Sequence, residues 1–211
     1  MQPAGPETPL SDTLDSRQKW LLLGSLMTCL FVGALDQTVV STATPKILAD
    51  LGGFAMISWL FTSYMLSSTV VIPLVGKLGD IYGRKFFLIG GVGIFMVSSA
   101  ACGASTSMPM LIWMRVIQGF GGGMIFASVF ATMGDLFAPA ERGKYVGLFT
   151  GMFSLASLLG PTVGGTLTDH LSWRWVFLVN VPVVAIVLPL VLRVVPESHS
   201  GEDHKDFDIP G

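Results

Sequence analysis

Six long apolar runs, separated by short polar stretches, dominate the chain. Each run reaches the roughly 20 residues that a helix needs to cross a hydrocarbon core of about 30 Å. The pattern therefore predicts an all-α membrane protein with six transmembrane helices. The runs lie at about residues 20–44, 54–76, 86–106, 109–133, 145–168 and 173–195.

The polar ends of the chain set the predicted domain limits. Residues 1–19 are rich in Pro and Asp and predict a cytoplasmic tail, residues 20–195 the six-helix bundle, and residues 196–211 an acidic cytoplasmic linker toward a missing second half. A signal peptide is an alternative interpretation of the first run, because basic residues precede it. A membrane span is favoured, since the run continues beyond Asp36 and five further runs follow.

Composition and charge placement agree with this topology. Hydrophobic residues make up 51% of the chain and charged residues 12%, and the net charge of −2 gives no basic field for nucleic acid. With the N-terminus inside, only Lys46 and Arg174 fall on the outer face. The excess of basic residues on the other face predicts that both termini are cytoplasmic. That face carries Arg17, Lys19, Lys77, Arg84, Lys85, Arg142, Lys144, Arg193 and Lys205.

The reactive side chains do not predict an enzyme, a cofactor or a metal site. Both cysteines, Cys29 and Cys102, lie inside apolar runs and are expected to be small buried hydrophobes. The histidines lie outside the runs, so a membrane-embedded hydrolase would find no base beside Ser105.

Two ionisable residues interrupt the runs and are candidate functional groups. At a rise of about 1.5 Å per residue, Asp36 lies in the outer half of the membrane. Arg115 lies roughly 9 Å from the outer end of its run, which is a similar depth. A charge inside a span is costly and marks a functional site, and a buried Arg needs a counter-charge. We therefore expect the two to pair. The alternatives are an acid that reaches water at the span end and a purely structural Arg.

The segment between the second and third runs reads Gly76-Lys-Leu-Gly-Asp80-Ile-Tyr-Gly83-Arg84-Lys85. It resembles the signature loop between the second and third helices of the major facilitator superfamily of transporters. In this interpretation the two glycines permit a tight turn. Asp80 would accept hydrogen bonds at a helix N-terminus, and the two basic residues would hold the loop at the cytoplasmic face as part of a conformational gate.

Motifs around the two buried charges extend this resemblance. The segment from Leu35 to Pro45 resembles the first-helix motif of multidrug:proton antiporters, and the segment from Leu111 to Gly123 the fourth-helix motif linked to proton coupling. The entry to the sixth run, at residues 173–182, resembles the branch with fourteen spans. The resemblance implies that Asp36 and Arg115 carry proton coupling.

A proline motif in the fifth run resembles one that is found in antiporters of the superfamily. It reads Ala156-x-x-x-Gly160-Pro161-x-x-Gly164-Gly165. The proline is expected to kink the helix, and the glycines to allow close packing there. A kinked packing helix without a role in transport is the alternative.

A short sequence pattern that occurs twice predicts two inverted three-helix repeats. Gly76 to Asp80 and Gly165 to Asp169 share the pattern G-x-L-x-D, after the second and fifth spans respectively. Those positions lie on opposite faces of the membrane, as an inverted repeat requires.

Together these features favour the N-terminal half of a transporter in a bacterial cytoplasmic membrane that exports lipophilic or cationic drugs in exchange for protons. A second six-helix half or a second copy would complete it. A non-transporting scaffold and a metabolite transporter of the same superfamily are the alternatives. The residues predicted to line the substrate cavity are Gln37, Tyr64, Gln118, Phe153 and Asn180. For Asn180, a bond to a neighbouring helix is an equal alternative.

Overall fold

The computed structural model describes residues 15–137 and 139–195, and all regular structure within these residues is helical. The helices are α1 (Ser16–Leu51), α2 (Ile57–Tyr82), α3 (Arg84–Gly103), α4 (Met108–Leu136), α5 (Pro139–His170), α6 (Trp175–Leu178) and α7 (Asn180–Val194). A single 3₁₀ turn, Phe54–Met56, leads into α2.

The described residues contain six helical segments long and apolar enough to cross a membrane, which confirms the predicted number of spans. The sixth span consists of α6 and α7 together, Trp175–Arg193. The protein is therefore a multi-pass membrane protein. The predicted tail and linker lie almost wholly outside the described residues and stay predictions.

Helix α1 begins earlier than the apolar run indicated. Asp15 caps its N-terminus, since the carboxylate accepts a hydrogen bond from the Ser16 amide and the Gln18 side chain bonds back to the Asp15 amide. This reciprocal arrangement satisfies backbone donors that a helix start otherwise leaves without partners. Residues 16–19, predicted as tail, are therefore the first turn of α1.

The predicted polar loop after the second run is almost entirely helical, so its predicted extent is wrong. Helix α2 continues to Tyr82 and α3 begins at Arg84, which leaves Gly83 as the junction. The φ of Gly83 is 91°, a conformation that residues with a side chain rarely adopt. One glycine is thus enough to reverse the chain, while Gly76 lies inside α2 with open space around it.

The order of helix contacts confirms the inverted repeat. Helix α1 packs mainly on α5 and α7, and α4 packs mainly on α2 and α3. Suppose that α1 is exchanged with α4, α2 with α5, and α3 with the sixth span. The contacts of α1 then become the contacts of α4. The contact between α3 and α7 maps onto itself. Two three-helix units of opposite orientation therefore build the bundle.

Helices α2 and α4 approach so closely that glycine is required between them. A Cβ atom placed on Gly123 of α4 would lie 2.6 Å from the Ser68 carbonyl oxygen of α2, and one on Gly119 would overlap the backbone of Tyr64. Small residues at such positions allow backbones to meet in a membrane, where dispersion contacts drive packing.

This contact predicts a specific loss of stability. Gly123→Ala should lower the free energy of unfolding by about 1–3 kcal/mol, because α2 must move to make room. The matched control is Gly134→Ala on the same helix, which has nothing within 4 Å of its Cβ position and should be neutral or slightly stabilising. Thermal unfolding in detergent measures both. Equal midpoints for the two variants would contradict the packing.

Candidate functional site

The carboxylate of Asp36 lies in the interior of the bundle and is held from two other helices. Its exposed fraction is 1%. Arg115 of α4 forms an ion pair with Oδ2. Gln118 of α4 and Asn180 of α7 each donate a hydrogen bond to Oδ1 at 2.9 Å. The negative charge is thus compensated by a cation and two neutral donors, as a buried charge requires.

Arg115 is completely buried and has four further neighbours, two hydrogen-bond acceptors and two aromatic rings. Its Nη1 also donates to Gln118 Oε1 at 2.8 Å, and its Nε donates to the Leu60 carbonyl of α2 at 3.3 Å. The Tyr64 ring centroid lies 4.4 Å from the guanidinium carbon, and that of Phe177 lies 6.0 Å away. The pair expected from equal depths is therefore present, with aromatic rings added around the cation.

Gln118 and Asn180 were predicted to line a substrate cavity, and the structure places both in the polar network around Asp36. Gln118 also donates to Ser99 Oγ of α3 at 2.8 Å, which links a third helix to the site. The position of Gln118, one turn after Arg115, was a usable signal, because residues three apart share a helix face. Nothing in the sequence indicated Ser99.

Beside this network lies a cavity of about 530 Å³ between α1, α2, α4 and α5. Gln37, Tyr64 and Phe153 line it, as predicted, and Phe126 contributes a ring that meets Phe153 edge to face at 6.4 Å. Its volume is in the range of small-molecule sites, and its wall is apolar with a few polar groups. The cavity can therefore take a lipophilic molecule next to a buried ion pair.

Arg84 connects three helices at the end of the bundle where α1 begins. It forms ion pairs with Asp80 of α2 at 2.9 Å and with Asp135 of α4, and it donates to the Ala131 carbonyl. Asp80 was expected to meet a helix N-terminus, and within the described residues its partner is Arg84. Lys85 follows Arg84 in the first turn of α3. Sequence reasoning did not identify Asp135.

The proline motif of α5 faces α1. A Cβ on Gly160 would overlap the Thr38 side chain, and one on Gly164 would lie 2.9 Å from the Val39 carbonyl oxygen. Thr38 also donates to the Ala156 carbonyl at 3.1 Å. Pro161 lies within one continuous α5, and Gly165 has open space around it, so only part of the motif serves this contact.

Ion pairs also join helices at the opposite end of the bundle, where α1 finishes. Lys46 bonds to Asp169 of α5 at 2.8 Å. Asp50 accepts from Arg174 at 2.8 Å and from the Trp173 indole at 2.9 Å. Sequence reasoning missed these pairs, because residues near span ends are commonly solvated. Among the described residues, no three His, Cys, Asp or Glu side chains are grouped to hold a metal ion.

Comparison with known families gives one match over most of the chain. Residues 26–208 match the family model of the Major Facilitator Superfamily. Among solved structures, a D-xylose-proton symporter aligns with a TM-score of 0.74 at 17% identity, covering 85% of this chain and 49% of that chain. At this identity the structural likeness concerns the fold.

Two relatives from Bacillus subtilis (strain 168) are similar in sequence. The multidrug transporter protein MdtP is 41% identical over 194 residues, which cover 92% of this chain and 36% of MdtP. Multidrug resistance protein 3 is 43% identical over 190 residues, which cover 89% of this chain and 37% of that protein. The chain thus spans little more than a third of the length of these relatives.

The buried pair predicts how the fold responds when one partner is removed. Arg115→Met should lower the free energy of unfolding by about 3–5 kcal/mol near neutral pH, because Asp36 then remains buried without a counter-ion. Adding Asp36→Asn should recover most of that loss, since Asn carries no charge. Thermal unfolding of the single and double variants tests this. A double variant no more stable than Arg115→Met would show that the charge is not the cause.

Proposed function

The chain belongs to the Major Facilitator Superfamily, and on that premise we propose that it forms the N-terminal six-helix half of a transporter that exports lipophilic or cationic compounds in exchange for protons. The proposal places the protein in a bacterial cytoplasmic membrane with both termini inside, and gives it no enzymatic role. The single observation that carries it is the fully enclosed Asp36 carboxylate next to an open apolar cavity.

An acid in this position is suited to taking up and releasing a proton. Its charged form is stabilised by Arg115, Gln118 and Asn180, which all donate to it. Its neutral form loses the ion pair but avoids the desolvation cost of a buried charge. Intramembrane acids in general mark proton or ion pathways.

The cavity is suited to binding lipophilic compounds of varied shape. Its wall combines aromatic rings with Met65 and carries no charged side chain among the described residues. Flexible Met and aromatic surfaces adapt to different ligands, which is how promiscuous binders work. The nearest buried negative charge is Asp36. A cationic compound would thus favour its ionised form, and protonation would favour release.

A second half or a second copy completes the proposed transporter. Helices α2 and α5 present exposed apolar faces, with Leu66 and Leu158 among the most exposed large residues. Transporters of this architecture move one bundle against another around a central site. These faces would contact either the partner bundle or the lipid bilayer. The printed names of the two relatives from Bacillus subtilis support the drug-like substrate class.

Replacing the acid tests the proposal directly. In the natural full-length protein, Asp36→Asn should reduce proton-driven export of a lipophilic cation such as ethidium to the background of cells without the transporter, because Asn cannot exchange a proton. The control is Asp169→Asn, which removes an acid whose side chain is 70% exposed and should leave export unchanged. Unchanged export by the Asp36 variant would favour the non-transporting scaffold.

A further inference from the structure

The buried cation of Arg115 is only partly satisfied by hydrogen bonds. A guanidinium carries five N–H donors. Asp36, Gln118 and the Leu60 carbonyl accept from Nη1 and Nε, while Nη2 has no hydrogen-bond partner among the described residues. Another group has to offset the cost of burying this cation.

The Tyr64 ring is placed to do so. Its centroid lies 4.4 Å from the guanidinium carbon, well within the distance of about 6 Å at which a cation is attracted to an aromatic face. The side chain is 6% exposed, so water does little to screen the attraction. Phe177 lies at 6.0 Å, at the limit of that range.

A recess in α4 holds Tyr64 in this position. A Cβ on Gly122 would overlap the Tyr64 hydroxyl, and one on Gly119 would overlap the Tyr64 backbone. The absence of side chains at these two positions therefore lets α2 approach and turns the ring onto Arg115. Tyr64 also lines the cavity, so one residue touches both the cavity and the cation.

We propose that Tyr64 is a positioning residue for Arg115. The Tyr64 ring holds the guanidinium while Asp36 is protonated, and this contact sets the pH at which the transporter exchanges protons. This inference rests on the proposed proton exchange at Asp36. When the carboxylate is neutral, Arg115 keeps its acceptors Gln118 and Leu60 but has lost its counter-ion. The site then carries a net positive charge, which the face of the ring attracts more strongly than it attracts the neutral ion pair. Without the ring, this protonated state becomes less stable, and a lower pH is needed to reach it.

The groups that face Asp36 are consistent with such a role. The titratable ones are Arg115 from α4, Tyr64 from α2 and Cys102 from α3, whose thiol lies 3.6 Å from Gln118 Oε1. The sixth span contributes the neutral side chains Asn180 and Phe177. Among the described residues of α5, none bonds to Asp36 or Arg115; the helix meets α1 through the bond from Thr38 to the Ala156 carbonyl. Within the described residues, Arg115 is therefore the cation of this site.

The experiment measures the pH dependence of ethidium-driven proton flux with the natural full-length protein in liposomes. Tyr64→Leu should shift the midpoint of this dependence toward acid by about one pH unit, the size expected from losing a desolvated cation–π contact. Tyr64→Phe keeps the ring and should retain the wild-type midpoint. Val70→Leu changes an exposed residue of the same helix outside the cavity lining and serves as a second control.

Gly122 supplies a second, independent variant if Tyr64→Leu does not fold. Gly122→Ala should displace the ring and shift the midpoint in the same direction. Combining it with Tyr64→Phe removes the hydroxyl that the new Cβ would meet, so the double variant should return toward the wild-type midpoint. This rescue is a result that a general loss of packing would not give.

Two results would overturn the inference. One is a wild-type midpoint in Tyr64→Leu and Gly122→Ala. The other is an equal shift in Tyr64→Phe and Tyr64→Leu, which would assign the effect to the hydroxyl and favour a direct contact with the transported compound. Either result leaves the proposed function standing if Asp36→Asn abolishes exchange. Continued exchange by Asp36→Asn would instead reject the proposed function itself.

Discussion

The burial of Asp36 with Arg115 is the constraint on which the rest of this structure depends. Removing two opposite charges from water costs several kcal/mol per ion, and their attraction compensates only when the remaining donors and acceptors are also satisfied. The bundle meets this requirement with groups from three helices: the Gln118 amide of α4, the Asn180 amide of α7, and the Leu60 carbonyl and Tyr64 ring of α2. A shift of any one helix would leave part of the network without partners.

Close backbone contacts make that network possible. Gly119 and Gly123 bring α2 against α4, and Gly160 and Gly164 bring α5 against α1. The two contacts, α2 with α4 and α5 with α1, correspond under the inverted repeat, although the glycines lie on α4 in the first and on α5 in the second. Because the helices meet tightly along these seams, the polar groups are enclosed, while the space between α1, α2, α4 and α5 stays open as the cavity.

The sequence predicted the helices and the depth of the buried charges better than the direction of the side chains. Depth follows from counting residues along a span, which is why the contact between Asp36 and Arg115 could be expected. The direction in which a side chain points depends on how each helix is rotated, and helices that are apolar on all sides carry little signal for that rotation. Gln118 and Asn180 were therefore expected in the cavity, although they belong to the polar network.

The predicted loop between α2 and α3 was too long for a related reason. Hydropathy reports where a helix leaves the hydrocarbon, and it does not report where the helix ends. Asp80 continues α2 beyond the apolar run, Arg84 begins α3, and the two side chains bond across the Gly83 junction. The positive φ of Gly83 is the feature that ends α2, and glycine at that position was the only local signal for it.

The ion pairs at the ends of the bundle differ from the central pair in what the proposed transport cycle would require of them. The pairs at both ends, such as Arg84 with Asp135 and Lys46 with Asp169, join helices of the same bundle, so they can persist when the bundle moves as one body. The pair of Lys46 with Asp169 is exposed, and exposed pairs contribute at most about 1 kcal/mol each, which suits a role in alignment. The central pair differs because protonation of Asp36 removes one of its charges. In the proposed mechanism its free energy changes with the proton and with the occupant of the adjoining cavity, so the proposed coupling step lies at the centre of the bundle.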